Sequence, residues 1–177
     1  SRVAASVRTV FWDADTGLFR AATVKCREHD IWGSAFAVFL GVADTVQSQA
    51  IAHYFKTHYD QIVQQGQIRH LPGGIYWEQG CARDEYQNGA YWATPVGWFV
   101  YTLNLADPML ADRTILDMVN DFKKHGACEW IIGERRQLPN YLASAALPLD
   151  GIRAMLARRQ KAQHRNNPNK ADAGDSK

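Results

Sequence analysis

Three stretches of this chain are almost wholly apolar, rich in small residues, and spaced at a near-constant interval. Trp32-Gly33-Ser34-Ala35-Phe36-Ala37-Val38-Phe39-Leu40-Gly41 aligns with Asn88-Gly89-Ala90-Tyr91-Trp92-Ala93-Thr94-Pro95-Val96-Gly97 at an offset of 56, which sets Gly33 on Gly89, Ala37 on Ala93 and Gly41 on Gly97. The same step again lands in Ala143-Ser144-Ala145-Ala146-Leu147-Pro148-Leu149. A helix that is apolar all round must be covered all round, whereas an amphipathic one needs cover on a single face. Amphipathic segments lie between the apolar ones, so the pattern predicts helical hairpins with a buried inner helix and a half-exposed outer one. The expected fold is all-α, made of antiparallel helical hairpins, with a short extended or hairpin loop near residues 67–80 around Pro72-Gly73-Gly74.

Local signals place the helices. Asp30 precedes the first apolar run and can cap it from about Ile31 to Gly41. Asp44 opens an amphipathic helix to about Gln65, which Gly66 ends. A second buried helix is expected from about Gly89 to Leu105. Asp107-Pro108 starts another amphipathic one, with proline in the first turn, running to Lys124. The third buried helix starts near Asn140 and continues toward Arg159. Upstream, Ser1 to Phe11 reads as a helix with Val3, Val7 and Val10 on one face, followed by a turn at 12–18 in which Asp15 is placed to bond nearby backbone.

With 46% apolar and 21% charged residues, the 177-residue chain is globular in character. Its formal charge of +2 hides an asymmetry: residues 158–177 hold six Lys/Arg against two Asp, leaving 14 basic and 16 acidic groups in residues 1–157. The expected organisation is one domain over 1–157 and a basic, polar, disordered tail over 158–177. A folded part with that balance is not expected to bind nucleic acid, and no apolar run is long enough to span a membrane. Cys26, Cys81 and Cys128 are odd in number and widely spaced, so unpaired thiols and a cytoplasmic setting are favoured. No metal-ligand spacing and no cofactor motif is present. The chain opens within a helix, without an initiator Met or signal sequence, which reads as a start cut from something longer and leaves targeting unread.

Chemistry concentrates in Tyr86-Gln87-Asn88-Gly89-Ala90-Tyr91-Trp92. Sugar rings stack on aromatic faces while their hydroxyls need fixed hydrogen-bond partners, and Gln, Asn, Tyr and Trp supply both without charge. Gln87 and Asn88 together exceed what one helix cap requires. Trp32, Tyr91 and Trp92 are candidate platforms, against the plainer reading of helix packing. His70, Trp77 and Glu78 lie in the long loop before this segment and are candidate contacts. Asp30 can be a sugar ligand, an acid or simply a cap. Glu85 and Glu78 can act on substrate or be neutralised by Arg83. Glu129 stands beside Trp130, an indole that would exclude water from it; the plainer reading is a salt bridge to Arg135 or Arg136.

Trp12-Asp13 through Gly17-Leu18-Phe19-Arg20, Asp30-Ile31-Trp32-Gly33-Ser34-Ala35, Tyr86 to Trp92, and Glu129-Trp130 followed by Asn140-Tyr141 together resemble the six-hairpin glycosidases. These are (α/α)6-toroid glycoside hydrolases that include glycogen-debranching-type glucosidases, trehalases and rhamnosidases. The resemblance implies about half of a toroid, its C-terminal part, since six hairpins at this repeat take roughly 330 residues. It implies a carbohydrate substrate and two carboxyl groups, one protonating the leaving oxygen and one acting on water or the anomeric carbon. Glu129 is then the general base. The acid lies outside this chain or falls to Asp30 or Glu85. Partners implied are the missing N-terminal half of the toroid or a second copy. The alternative is a non-catalytic carbohydrate-binding or helical-repeat scaffold domain.

Overall fold

Short polar side chains fix where three of the longer helices begin. The computed structural model describes residues 2–166. Helix α1 (Arg2–Val10) leads into a two-stranded hairpin, β1 (Trp12–Asp13) and β2 (Leu18–Phe19), in which Trp12 faces Phe19. The Asp30 carboxylate then accepts from the Gly33 amide and starts α2 (Ile31–Phe39). Asp44 and Gln47 form a reciprocal capping box at the head of α3 (Thr45–Thr57). That helix is shorter than expected, because the chain breaks at His58, makes one more turn in α4 (Tyr59–Ile62) and becomes extended.

The extended segments overturn the all-α expectation. Strands β3 (Val63–Gln64), β4 (Gln67–Arg69), β5 (Tyr91–Trp92), and, after two further helices, β6 (Trp130–Ile132) and β7 (Arg135–Gln137) form one five-stranded antiparallel sheet in that order. The protein is therefore mixed α/β, with the sheet joined to the helices. The hairpin in this region sits at Gln65-Gly66, not at Pro72-Gly73-Gly74: both residues have positive φ, 51° and 72°, and join Gln64 to Gln67 as a two-residue loop. Gly66 is confined there, since a Cβ would stand 2.2 Å from the Met118 amide nitrogen.

The same extension shortens the second buried helix. It was expected from Gly89, but Tyr91 and Trp92 pair with Arg69 and Ile68 as strand, and α5 spans Val96–Leu103. Pro95 explains the late start: it disfavours helical backbone at Thr94 before it and is well suited to a first turn. The aligned glycines consequently differ, Gly33 lying inside a helix and Gly89 in a loop at φ +127°. Helix α6 (Pro108–His125) begins on Asp107 as predicted and stops at Gly126, at φ +79°. After the sheet come α7 (Leu142–Ala146) and α8 (Pro148–Asn166).

Helix α5 is the buried centre of the helical layer, whereas α8, expected as a third buried helix, is largely exposed. Helix α5 touches α2, α8, α3 and α6. Val96, Phe99, Val100 and Leu103 on α5 are fully buried, and Phe99 stacks on Phe55 of α3 at 4.6 Å between centroids. Burying each such side chain contributes about 1.5–3 kcal/mol. The segment assigned to a solvated tail starts inside α8, where Arg158 donates to the Tyr101 carbonyl and Arg159 pairs with Asp112. Residues 167–177 of that segment lie outside the described residues.

Candidate functional site

The sheet presents two unlike faces. Register puts Val63 opposite Ile68 and Ile68 opposite Trp92, and the pairing of Tyr91 with Ile131 carries Trp130 onto that same face. The opposite face holds Gln67, Arg69, Tyr91, Ile131 and Arg136. Asp121 of α6 ties this second face down: its two oxygens accept from Gln67 Nε2 at 2.9 Å and Arg136 Nη2 at 2.8 Å. With Asp121 and Gln67 both buried, that network fixes sheet against helix.

The first face builds an aromatic cluster at the head of α2. Trp92, 3% exposed, is its hub, meeting Trp32 at 5.8 Å, Tyr86 at 4.9 Å and Tyr141 at 6.5 Å, all edge to face. Its indole N–H donates to the Tyr86 carbonyl. Trp32 stacks on His70 at 4.1 Å and 8°, and Trp77 meets the imidazole edge to face at 4.9 Å. Trp32, Trp77 and Tyr141 are half-buried and Tyr86 is exposed, so these four offer ring surface at the rim, while Trp92 is covered and Tyr91 lies on the sheet's other face.

His70 and Asp30 are brought together. The His70 Nε2 lies 3.1 Å from Asp30 Oδ1, the oxygen that also caps α2, and the Ile31 amide donates to the His70 carbonyl. Asp30 is thus a helix cap and a partner of His70 at once, with Oδ2 left unpartnered among the described residues.

The two adjacent amides divide their labour. Asn88, 3% exposed, accepts from the Trp77 amide through Oδ1 at 2.8 Å and donates to the Cys81 carbonyl through Nδ2 at 2.6 Å. Both ends are spent holding the 77–88 loop. Gln87 accepts the Trp77 indole N–H on its carbonyl, while its half-buried side-chain amide has no protein partner among the described residues. Glu78 accepts from the Cys26 amide and so clamps two loops together, and Glu85 projects from an exposed turn.

Glu129 immediately precedes Trp130 in the chain. Its amide bonds the carbonyls of Gln137 and Leu138, and two residues earlier the Ala127 carbonyl accepts from the Tyr141 amide. The salt bridge that would have made it structural is not formed: Arg136 is engaged by Asp121, and Arg135 lies over the Trp130 ring at 5.4 Å. The half-buried Glu129 carboxylate has no hydrogen bond or ion pair among the described residues.

A second polar network went unread in the sequence. Asp13, 8% exposed, receives His29 Nε2 and Arg20 Nη2 on Oδ2, each at 2.7 Å, and the Asp15 amide on Oδ1. Asp13, not Asp15, is therefore the turn-forming carboxylate. The His29 bond, reinforced by Arg20 and opposed by burial, holds its pKa down to about 2. Its signal was Trp12-Asp13 itself, but the partners come from two later segments and nothing local announces them.

A hollow of about 400 Å³ by the C-terminal turns of α6 is lined by Gln65, Asp117, Asn120, Asp121, Lys124 and His125, and includes none of the predicted site residues. Among the described residues no group of three His, Cys, Asp or Glu is arranged to hold a metal ion, and no helix is long and apolar enough to cross a membrane. No protein-family model, curated protein or solved structure matches the chain.

Proposed function

We propose that this chain contributes the sugar-binding wall of a glycoside hydrolase, with Glu129 as the general base. The observation that carries the reading is a half-buried carboxylate left without a partner one residue before Trp130, a member of an aromatic cluster whose rim rings remain accessible. Stacking on Trp32, Trp77, Tyr86 or Tyr141 would hold a sugar face, and the free Gln87 amide can bond a hydroxyl. Glu129, unencumbered by Arg135 or Arg136, is then available to take a proton from water. Asp30 serves as a hydroxyl acceptor, oriented by Gly33 and His70. Hydrolysis needs a second carboxyl group, which on this reading comes from outside the described residues.

That engagement of Asp30 also favours one alternative, binding of carbohydrate without hydrolysis. Release of reducing sugar from a panel of glycosides by the full-length protein separates the two. A hydrolase should show turnover, and Trp32→Ala and Tyr86→Ala should raise KM. Saturable oligosaccharide binding with no release would select the binding module, and absence of both would remove carbohydrate from the account. Exposed apolar side chains, Phe36 and Leu40 at α2 and Leu149 and Leu156 of α8, support a second copy of the chain that covers them.

A further inference from the structure

A separate hollow of about 210 Å³ opens where α1, the first hairpin and α2 meet, lined by Phe11, Phe19, Arg20, Asp30, Gly33 and Ala37 among others. Its walls are tied to one another by the backbone. The Arg20 amide donates to the Phe11 carbonyl at 2.8 Å, the Asp30 amide to the Phe19 carbonyl at 2.9 Å, and the Phe19 amide to Ser34 Oγ on α2 at 3.0 Å. Arg20 and His29 bridge as an isolated β-pair, so the segment before Asp30 is locked to the segment carrying Arg20.

The two charged groups facing this space are each held by a partner behind them. Arg20 is gripped at Nη2 by buried Asp13, which is itself steadied by His29, and its other nitrogens have no partner among the described residues. Asp30 is gripped at Oδ1 by Gly33 and His70, leaving Oδ2 free. The hollow therefore offers one oriented donor group and one oriented acceptor among apolar walls. A neutral ring bearing neighbouring hydroxyls can accept from Arg20, donate to Asp30 and lie against the apolar lining. The volume of about 210 Å³ has room for one ring.

We propose that this hollow binds a single sugar ring, with Arg20 and Asp30 bonding adjacent hydroxyls and Asp13 and His29 as positioning residues for Arg20. The inference rests on the carbohydrate reading above and adds a second compartment to it, since Asp30 is the one residue shared with the aromatic cluster. The test is titration of the full-length protein with methyl glucoside, galactoside and mannoside, and separately with a panel of tetrasaccharides. Ala37→Leu fills the hollow, and Arg20→Met removes the donor while keeping the apolar stem. Each variant should weaken the best methyl hexoside at least tenfold. If Ala37→Leu fails to fold, Arg20→Met decides alone. Methyl hexoside affinity unchanged in the folded variants would overturn the proposal. Tetrasaccharide binding that is lost in Trp32→Ala but unaltered by Arg20→Met would sink the hollow and leave the aromatic cleft standing. No binding of any sugar by the wild-type protein would sink both.

Discussion

Helices α5 and α8 cross at two glycines, and replacing either one tests how closely the inner layer is packed. A Cβ on Gly97 would stand 2.4 Å from the Pro148 carbonyl oxygen, and one on Gly151 would stand 2.2 Å from the Gly97 carbonyl carbon. Ordinary contact begins near 3.4 Å, so the axes would have to part by about 1 Å. The obstructing atoms are backbone and cannot rotate away. A gap of that size forfeits a quarter to a half of each dispersion contact across the crossing, and overpacking typically costs about 1–3 kcal/mol, occasionally more. Alanine's better helix propensity offsets up to about 1 kcal/mol of this. The net expectation for Gly97→Ala or Gly151→Ala is a loss of about 2 kcal/mol, or roughly 4–8 °C in Tm for a chain of this size. Urea unfolding should show a lower midpoint with an unchanged slope. Because one displacement relieves both clashes, the double variant should cost clearly less than the two singles added together. Singles within about 0.5 kcal/mol of wild type, or strict additivity, would refute the close crossing.

Other consequences follow from particular side chains. Asp13 has its folded pKa lowered to about 2 from 3.8, so its contribution is present above about pH 4 and lost as pH falls toward 2. Allowing for the partial exposure of Arg20 and His29, it amounts to about 1–2 kcal/mol. Thermal melts from pH 6 to 2 should show Asp13→Asn destabilised at pH 6 and converging on wild type near pH 2; parallel curves would contradict the pairing. Asn88→Ala removes two bonds that hold the 77–88 loop and should cost about 2 kcal/mol, read as faster hydrogen exchange at the Trp77 amide. Sedimentation should show self-association, reduced by Leu149→Glu with Leu156→Glu; a wild-type monomer that binds no apolar dye would count against a covered flank.

What could be read from the sequence was mainly what is decided locally. Asp30, Asp44 and Asp107-Pro108 each mark a helix start, because a cap is settled within four residues. The sheet was hidden for the opposite reason. Its strands are two or three residues long, too short to display a period of two, and β5 finds β4 and β6 only through pairings of more than twenty residues' separation. The Gly33–Gly89 alignment looked like one helix start repeated, but Pro95 and the aromatic pair Tyr91-Trp92 turn the second copy into strand and loop. At the site, Asp30 and His70 were singled out separately, and only the fold stacks His70 on Trp32 and aims it at Asp30. Asn88 was read as a ligand because its type suits sugars, yet burial commits both ends of its amide to backbone. Glu129 differs again: its rivals Arg135 and Arg136 were visible, and what could not be seen was that Asp121 and Trp130 occupy them.

The most direct measurement is the turnover of Glu129→Gln in the full-length protein, on the best substrate found among the glycoside panel. Loss of a general base predicts kcat lower by about 10²–10⁴ with substrate affinity retained. A kcat equal to wild type would remove Glu129 from the chemistry and contradict the proposed role of the unpartnered carboxylate.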